Sequence, residues 1–340
     1  MFFSEVFSDL TGVPMSAPQH DLLCIGNAIV DVLAPVGQDL IDGLGAAAGS
    51  MTLIDAPTAH AIESRVDIEN VTGGGSGANT AVVAARMGAK VAYLGKVTAD
   101  EAGDHFTRDI REQGITFPSE PLPAADGTPT ARCIVLVTPE GQRTMFTYLG
   151  ACTEFTPEDV HEAVVADAAI TYLEGYLYDK PQAQEAFEHA ARLARKANRQ
   201  VALTLSDTFC VERHRAAFHE LVAGHVDILF ANEAELLALY EVTDFEEAVT
   251  QVSAETKLAV ITRGEKGAVV IGDGERHDVP TTEVKVVDTT GAGDAFAAGF
   301  LAGLSKKHDL VTCTKLGNRA AGEIITRYGA RPTEAFTLTA

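Results

Sequence analysis

Residues 286–300 read VVDTTGAGDAFAAGF, and the rest of the chain is arranged around this stretch. Val284, Val286 and Val287 are β-branched and apolar, as expected for the end of a buried strand. Asp288, Thr289, Thr290, Gly291, Ala292, Gly293 and Asp294 follow. Small and apolar residues then recur at helical spacing: Phe296, Ala297, Phe300, Leu301. The pattern predicts strand, glycine turn and helix N-terminus. Gly291 and Gly293 allow a ligand to approach the main chain closely. The free N–H groups of a first helical turn carry about half a positive charge, so the turn suits a phosphoryl group in transfer. Asp294 stands at the mouth of that hole. It reads either as a base that accepts a proton from an attacking hydroxyl or as a helix N-cap.

Working outward, the C-terminal half alternates strand and helix. Helices are expected at 157–166, 181–197 and 211–223, and strands at 168–174, 201–205 and 226–231. This repetition predicts a mainly parallel sheet covered on both faces, with ligands beyond the carboxyl ends of its strands. Polar residues stand just after those strands: Glu174 and Tyr176, Ser206 and Asp207, Asn232 and Glu235. Asn232 and Glu235 have the spacing of a capping box and also stand where phosphates and a hydrated Mg²⁺ would lie. Residues 258–271 read strand, turn, strand, with Thr262 and Gly264 at the end of the first. Residues 275–286 read as a further β stretch. A helix at 310–326 carries Asn318, either an exposed position or part of a base pocket.

The N-terminal half is more mixed. Residues 21–36 read as a strand, a turn at Gly26-Asn27 and a second strand. Asp31 lies between Val30 and Val32, either facing outward or accepting two hydrogen bonds from a diol. A short strand is expected near 50–54. VTGGGSGANTAVVAARMGA, from Val71, gives a glycine run, then Asn79, then a helix. The stretch ahead of the glycines is not a convincing strand, which weakens a dinucleotide-binding reading of this loop. Residues 130–137 and 143–149 form a hairpin that interrupts the alternation. With residues 32–55 it suggests a β appendage, a lid in two segments (32–55 and 118–150) that excludes water from a transfer site. Arg132 and Arg143 are its basic residues, either solvated or able to swing onto a phosphate or substrate.

The chain has 340 residues, 46% of them hydrophobic and 22% charged. That suits one large α/β domain with a smaller appendage. The net charge of −22 argues against nucleic acid or an acidic membrane surface as a partner. The five cysteines are scattered and odd in number, as expected of reduced thiols in a cytoplasmic protein. No apolar run has membrane-spanning length. Met15 is an alternative start, so residues 1–20 are expected to be an extension and 21–340 the folded domain.

Over about residues 21–332 the sequence resembles the ribokinase, or PfkB, family of carbohydrate and nucleoside kinases. The likeness rests on DTTGAGDAFAAGF (288–300), GGGSGANTAVVAARMG (73–88), NEAE (232–235) and TRGEKG (262–267), in that family's order. The resemblance implies a three-layer α/β/α sandwich with a small β-sheet lid, acting as a monomer or homodimer on ATP and a small-molecule acceptor. It implies that Asp294 is the base and that the Gly291–Ala292–Gly293 backbone is the anion hole. Asp31, Gly75, Ser76 and Asn79 would hold the acceptor. Asn232 and Glu235 would organise Mg²⁺ through water, and Thr262, Gly264 and Asn318 would flank ATP. Asp288 is a candidate for a monovalent cation such as K⁺. GNAIVD (26–31) is similar to the early segment of adenosine kinases, and TYLEGYLYD (171–179) to bacterial adenosine or sugar kinases. Asn27, Ile29, Tyr148 and Tyr176 are therefore candidates around a nucleoside. Rival expectations are a sugar kinase, a silent nucleoside-binding regulator and a dinucleotide-dependent oxidoreductase.

Overall fold

Two β-sheets are built from short β-branched and apolar runs, and each residue's place on the pleat decides which layer it meets. The computed structural model describes residues 17–332. The expected extension at 1–20 falls mostly outside them. The strands in chain order are β1 (His20–Ile25), β2 (Ile29–Pro35), β3 (Met51–Leu53), β4 (Asn70–Gly74), β5 (Val91–Leu94), β6 (Ala131–Val137), β7 (Arg143–Tyr148), β8 (Ala168–Glu174), β9 (Gln200–Thr204), β10 (Ile228–Asn232), β11 (Leu258–Thr262), β12 (Ala268–Gly272) and β13 (Glu275–Val279).

The large sheet runs β13-β12-β11-β10-β9-β8-β1-β5. It is parallel from β5 through β11 and closes with the antiparallel β12 and β13. Alternate residues of each inner strand enter different cores. Leu23 and Ile25 of β1 join Leu173, Leu203, Phe187 and Phe218 on one face. Leu22 and Cys24 join Tyr172, Phe230, Phe296 and Phe300 on the other. Burial on both faces explains why these strands read as continuous apolar runs. The result is the sandwich of helix, sheet and helix expected from the alternation.

The small sheet runs β3-β7-β6-β2-β4. One of its faces packs Ile134, Leu136 and Phe146 against Ile41 and Ile62, from helices Gln38–Gly43 and Ala56–Glu63. β4 was not expected as a strand. Its Gly73 and Gly74 weaken β propensity, and pairing with β2 supplies the order that local sequence does not.

Two other expectations change. Val284–Val287 is not a buried strand: β13 ends at Val279, ahead of Pro280, and Val286 and Val287 are 55% and 40% exposed. Proline has no N–H to extend the ladder. The N–H groups of Val287 and Asp288 instead bond the Ile325 carbonyl at 2.8 and 3.3 Å. The helix expected at 157–166 is a 3₁₀ turn, Pro157–Asp159, closed by a Thr156/Asp159 capping box, and a short helix, Glu162–Ala166. All five cysteines are buried and free. Among the described residues, no helix is long and apolar enough to cross a membrane.

Helix Ala292–Ser305 lies across the second core face. Phe300 meets Phe230 of β10 edge-on, with ring centroids 5.5 Å apart. Its partner is helix Leu310–Ile324, and the two approach at Gly299, where an added Cβ would come within 2.6 Å of the Leu316 carbonyl oxygen. Gly299→Ala is therefore expected to lower stability by about 1–3 kcal/mol through overpacking. Urea unfolding checks this, and an unchanged midpoint would show that the helices can separate freely.

Candidate active site

Gly291 is the N-cap of helix Ala292–Ser305 and has a φ of 75°, a left-handed conformation that glycine adopts without steric cost. It has no side chain with which to cap the helix, and the Ala292 N–H instead bonds the Thr289 carbonyl at 3.1 Å. A Cβ added at Gly293 would meet nothing within 4 Å, so the space before this turn is open. On the other side the chain is crowded, because a Cβ at Gly291 would approach that of Ala330 to 2.5 Å.

Asp294 lies inside the first turn, and the N-cap position belongs to Gly291. The carboxylate of Asp294 accepts from Ser76 Oγ at 2.6 Å and from Asn79 Nδ2 at 3.2 Å. Burial raises its pKa, while those two bonds and the charge of Arg331 lower it, and the net direction is upward. A carboxylate displaced upward in this way is better matched to proton transfer near neutral pH.

Helix Ser76–Arg86 brings Ser76 and Asn79 to this point. The preceding glycines make room for neighbouring side chains rather than for a flat ligand. A Cβ at Gly73 would strike the Asp109 carboxylate at 2.2 Å, and one at Gly74 that of Asp31 at 2.3 Å. Glu174, 1% exposed, accepts from Asn27 N (3.1 Å), Asn27 Nδ2 (2.7 Å) and Gly77 N (2.6 Å). Burial pushes its carboxyl up to about 7.

A cleft of about 880 Å³ opens between the small sheet, helix Ser76–Arg86, helix Glu101–Glu112 and the C-terminal residues 328–332. Asp31, Asn79 and Arg143 line it, as do the apolar Leu33, Pro35, Val36, Val137 and Pro139. Burial pushes Asp31 up to about 6, against the lowering charges of Arg331 and Arg143. Of the other acceptor candidates, Gly75 caps the helix and Ser76 bonds Asp294. Asn27 is held by Glu174, and Ile29 lies in the core. Tyr176 donates its hydroxyl to Ser206 O at 3.2 Å. Tyr148 packs on the core beneath the small sheet. Arg132 pairs with Glu63 at 2.9 Å.

Arg143 reaches from β7 to Asp288 at 2.7 Å, and these side chains are only 11% and 9% exposed. Asp288 also accepts from Thr290 N (2.9 Å), Thr290 Oγ (2.6 Å) and Gly329 N (3.0 Å). Burial works against the charged form, but these bonds prevail and hold its carboxyl below the usual range. The carboxylate suggested for a monovalent cation is thus committed to protein donors. Among the described residues, no cluster of three or more His, Cys, Asp or Glu could hold a metal ion.

At the far side of the glycine turn, Asn232 and Glu235 form the capping box. Glu235 N donates to Asn232 Oδ1 at 2.8 Å, and Asn232 N donates to Glu235 Oε2 at 2.9 Å. Glu235 is 5% exposed, and burial pushes it up to about 7. Thr262 is the register partner of Asn232 on the next strand, and Gly264 follows it, exposed. Asn318 donates to Pro280 O at 3.2 Å. Sequence reasoning missed Arg331, Asp109 and the Glu174 network. Glu174 was visible only as an acid after a strand, and nothing marked a single arginine in the irregular tail.

Residues 46–335 match the model of the pfkB family carbohydrate kinases. The chain belongs to this family. It is 47% identical to an adenosine kinase from Sinorhizobium meliloti, with 93% of this chain and 97% of that one covered and a TM-score of 0.86. A probable sugar kinase from Rhizobium etli is 45% identical, covering 94% and 96%, with the same TM-score of 0.86. Adenosine kinase from Saccharomyces cerevisiae is 28% identical over 339 residues, 93% of this chain and 96% of that protein. This PfkB-family protein is an ATP-dependent kinase that acts on a hydroxyl group.

In this kinase the Arg143–Asp288 pair links the small sheet to the loop before helix Ala292–Ser305. Replacing Arg143 by Ala removes one of the four donors to the Asp288 carboxylate, with an expected cost of about 1.5–3 kcal/mol. Chemical denaturation at pH 7 checks this, and a loss under about 0.5 kcal/mol would mark the pair as a surface-like contact.

Proposed function

We propose that this kinase transfers the γ-phosphoryl group of ATP to the 5′-hydroxyl of a ribonucleoside, adenosine in the first place. The observation that carries this reading is one cleft that combines Asp31, Asn79 and an apolar wall (Leu33, Pro35, Val36, Val137, Pro139), with Asn79 bonded in turn to Asp294. A carboxylate and an amide suit a ribose diol, and an apolar wall suits a planar base. The S. meliloti adenosine kinase at 47% identity supports the same acceptor.

Asp294 takes the proton of the attacking hydroxyl, and Ser76 and Asn79 hold its carboxylate in place. A Cβ on Gly293 would meet nothing within 4 Å, so the positive end of the helix is open there and stabilises negative charge that develops on the transferring group. ATP with Mg²⁺ supplies the phosphoryl group and screens its charge. The residues at the strand ends fit that pair: Thr262, Gly264 and Asn318 would hold the nucleotide, and Glu235 would hold the ion through water. The small sheet acts as a lid, excluding water so that the acceptor rather than water is phosphorylated. A sugar acceptor is the second reading, favoured by the R. etli relative named as a probable sugar kinase.

ADP release with Mg-ATP against adenosine, other nucleosides, ribose and fructose separates the two readings. Turnover with adenosine is expected, and turnover with sugars alone would transfer the assignment to the second. Asp294→Asn should lower kcat by about 10²–10⁴-fold with the fold intact, and a variant with wild-type kcat would remove Asp294 as the base.

Asp31 adds a pH signature. Its carboxyl sits at about 6, so it accepts two diol hydrogen bonds above that pH and loses that capacity on protonation below it. KM for the acceptor is expected to climb as pH falls through about 6. Asp31→Asn should raise KM and flatten this dependence. A wild-type KM constant from pH 5 to 8 would show that Asp31 does not hold the acceptor.

A further inference from the structure

Residues 325–332, after helix Leu310–Ile324, form no helix or strand, yet they touch the glycine turn, helix Ser76–Arg86 and the small sheet. Gly329 N bonds Asp288, Ala330 crowds Gly291, and the Tyr328 hydroxyl lies where a Cβ on Gly141 of the small-sheet hairpin would come within 2.2 Å. Arg331 reaches furthest. Its Nε donates to Asn79 Oδ1 at 2.8 Å and one terminal nitrogen donates to Asp109 Oδ2 at 2.6 Å. The other terminal nitrogen lies 3.4 Å from Gly74 O. The Arg331 and Asp109 side chains are largely buried.

A guanidinium only donates, whereas an amide has one accepting and one donating end. The end of Asn79 that meets Arg331 must therefore be its oxygen, which turns the NH₂ toward Asp294, the bond seen at 3.2 Å. Without the guanidinium, the terminal torsion of Asn79 is soft and roughly two-fold. The opposite orientation sets the amide oxygen against the Asp294 carboxylate. Asp109 in turn pins Arg331.

We propose that Arg331 is a positioning residue for phosphoryl transfer: it fixes the orientation of the Asn79 amide and, through it, the placement of Asp294 and of the acceptor hydroxyl. This rests on the reading of Asp294 as the base. The charge of Arg331 also favours the ionised forms of Asp294 and Asp31. The other groups around Asp294 are Ser76 and Asn79 from their helix, Glu174, Tyr172 and Tyr176 from β8 and the turn after it, and Cys24 from β1. The nearby ionisable ones are acids, so removing Arg331 raises the pKa of Asp294.

The test is steady-state kinetics from pH 5 to 9, with the acceptor the wild-type enzyme turns over, for Arg331→Gln, Arg331→Lys, Asp109→Asn and Asp294→Asn. Arg331→Gln is expected to lose about 10²-fold in kcat/KM, through both KM and kcat, and to move the acid limb of its profile to higher pH. Arg331→Lys keeps the charge but not the planar fork. It should restore the acid limb and only part of kcat/KM. Asp109→Asn should shift the same way by less. If Asp294→Asn is inactive while Arg331→Gln has wild-type KM, kcat and acid limb, the positioning role is wrong and the base stands. If Asp294→Asn is fully active, the base assignment falls and this proposal with it.

Discussion

A carboxylate at the positive end of a helix sets the terms for this molecule. Asp294 sits half-buried in the first turn of helix Ala292–Ser305. Burial of a charge is costly unless it is hydrogen-bonded. Ser76 and Asn79 meet that demand from an element more than two hundred residues away in sequence. Helix Ser76–Arg86 must therefore begin facing Asp294. The end of β4 before it must admit Asp31 and Asp109 with no Cβ in the way, hence Gly73 and Gly74. The double glycine that reads like a ligand loop is thus first a packing requirement of neighbouring acids.

The same constraint explains the distribution of positive charge. The chain carries a formal charge of −22, and Asp31, Glu174 and Glu235 near the site are all pushed upward by burial. A site that must receive a polyanionic phosphate cannot tolerate many ionised acids without compensation. Backbone N–H groups supply part of it. Arg143 and Arg331 supply the rest, each held by its own carboxylate, Asp288 and Asp109, so that neither is free to wander. The acidity of the whole chain and the anion affinity of one turn are therefore compatible, because the second depends on local geometry.

Much of this was legible in the sequence. The parallel sheet followed from alternating strand and helix patterns, because strands buried on both faces must be apolar throughout. The glycine turn and Asp294 were legible because a φ of 75° at a helix start leaves a glycine in the sequence, and the capping box at Asn232 and Glu235 because its spacing is fixed by one helical turn. Features that depend on distant partners were not legible. β4 exists because β2 pairs with it, against the propensity of its glycines. Val286 and Val287 looked like strand residues, but Pro280 ends the ladder and the Ile325 carbonyl takes their segment instead. Asn27 bonds Glu174 and Tyr176 bonds Ser206, partners that the local sequence does not mark. Arg331 left no pattern, since one arginine after a helix has no periodicity and its meaning lies in three contacts made elsewhere.

These failures share a cause that bears on how the site works. Local sequence records the glycine turn, because that part is made of backbone within one turn. It does not record the cleft, which is assembled from β2, two helices, the small sheet and the tail. The two halves meet at Asp294, which belongs to the turn but bonds Ser76 and Asn79, and at Asp288, which Arg143 and Gly329 hold. A change of acceptor can therefore proceed by altering the cleft wall while the turn stays as it is. Relatives named for adenosine and for a sugar at 47% and 45% identity fit that division. In such a design the groups that couple the halves, Asn79 and the arginine that orients it, have the least freedom to vary, because they must satisfy both a transferring phosphate and whatever hydroxyl is brought to meet it.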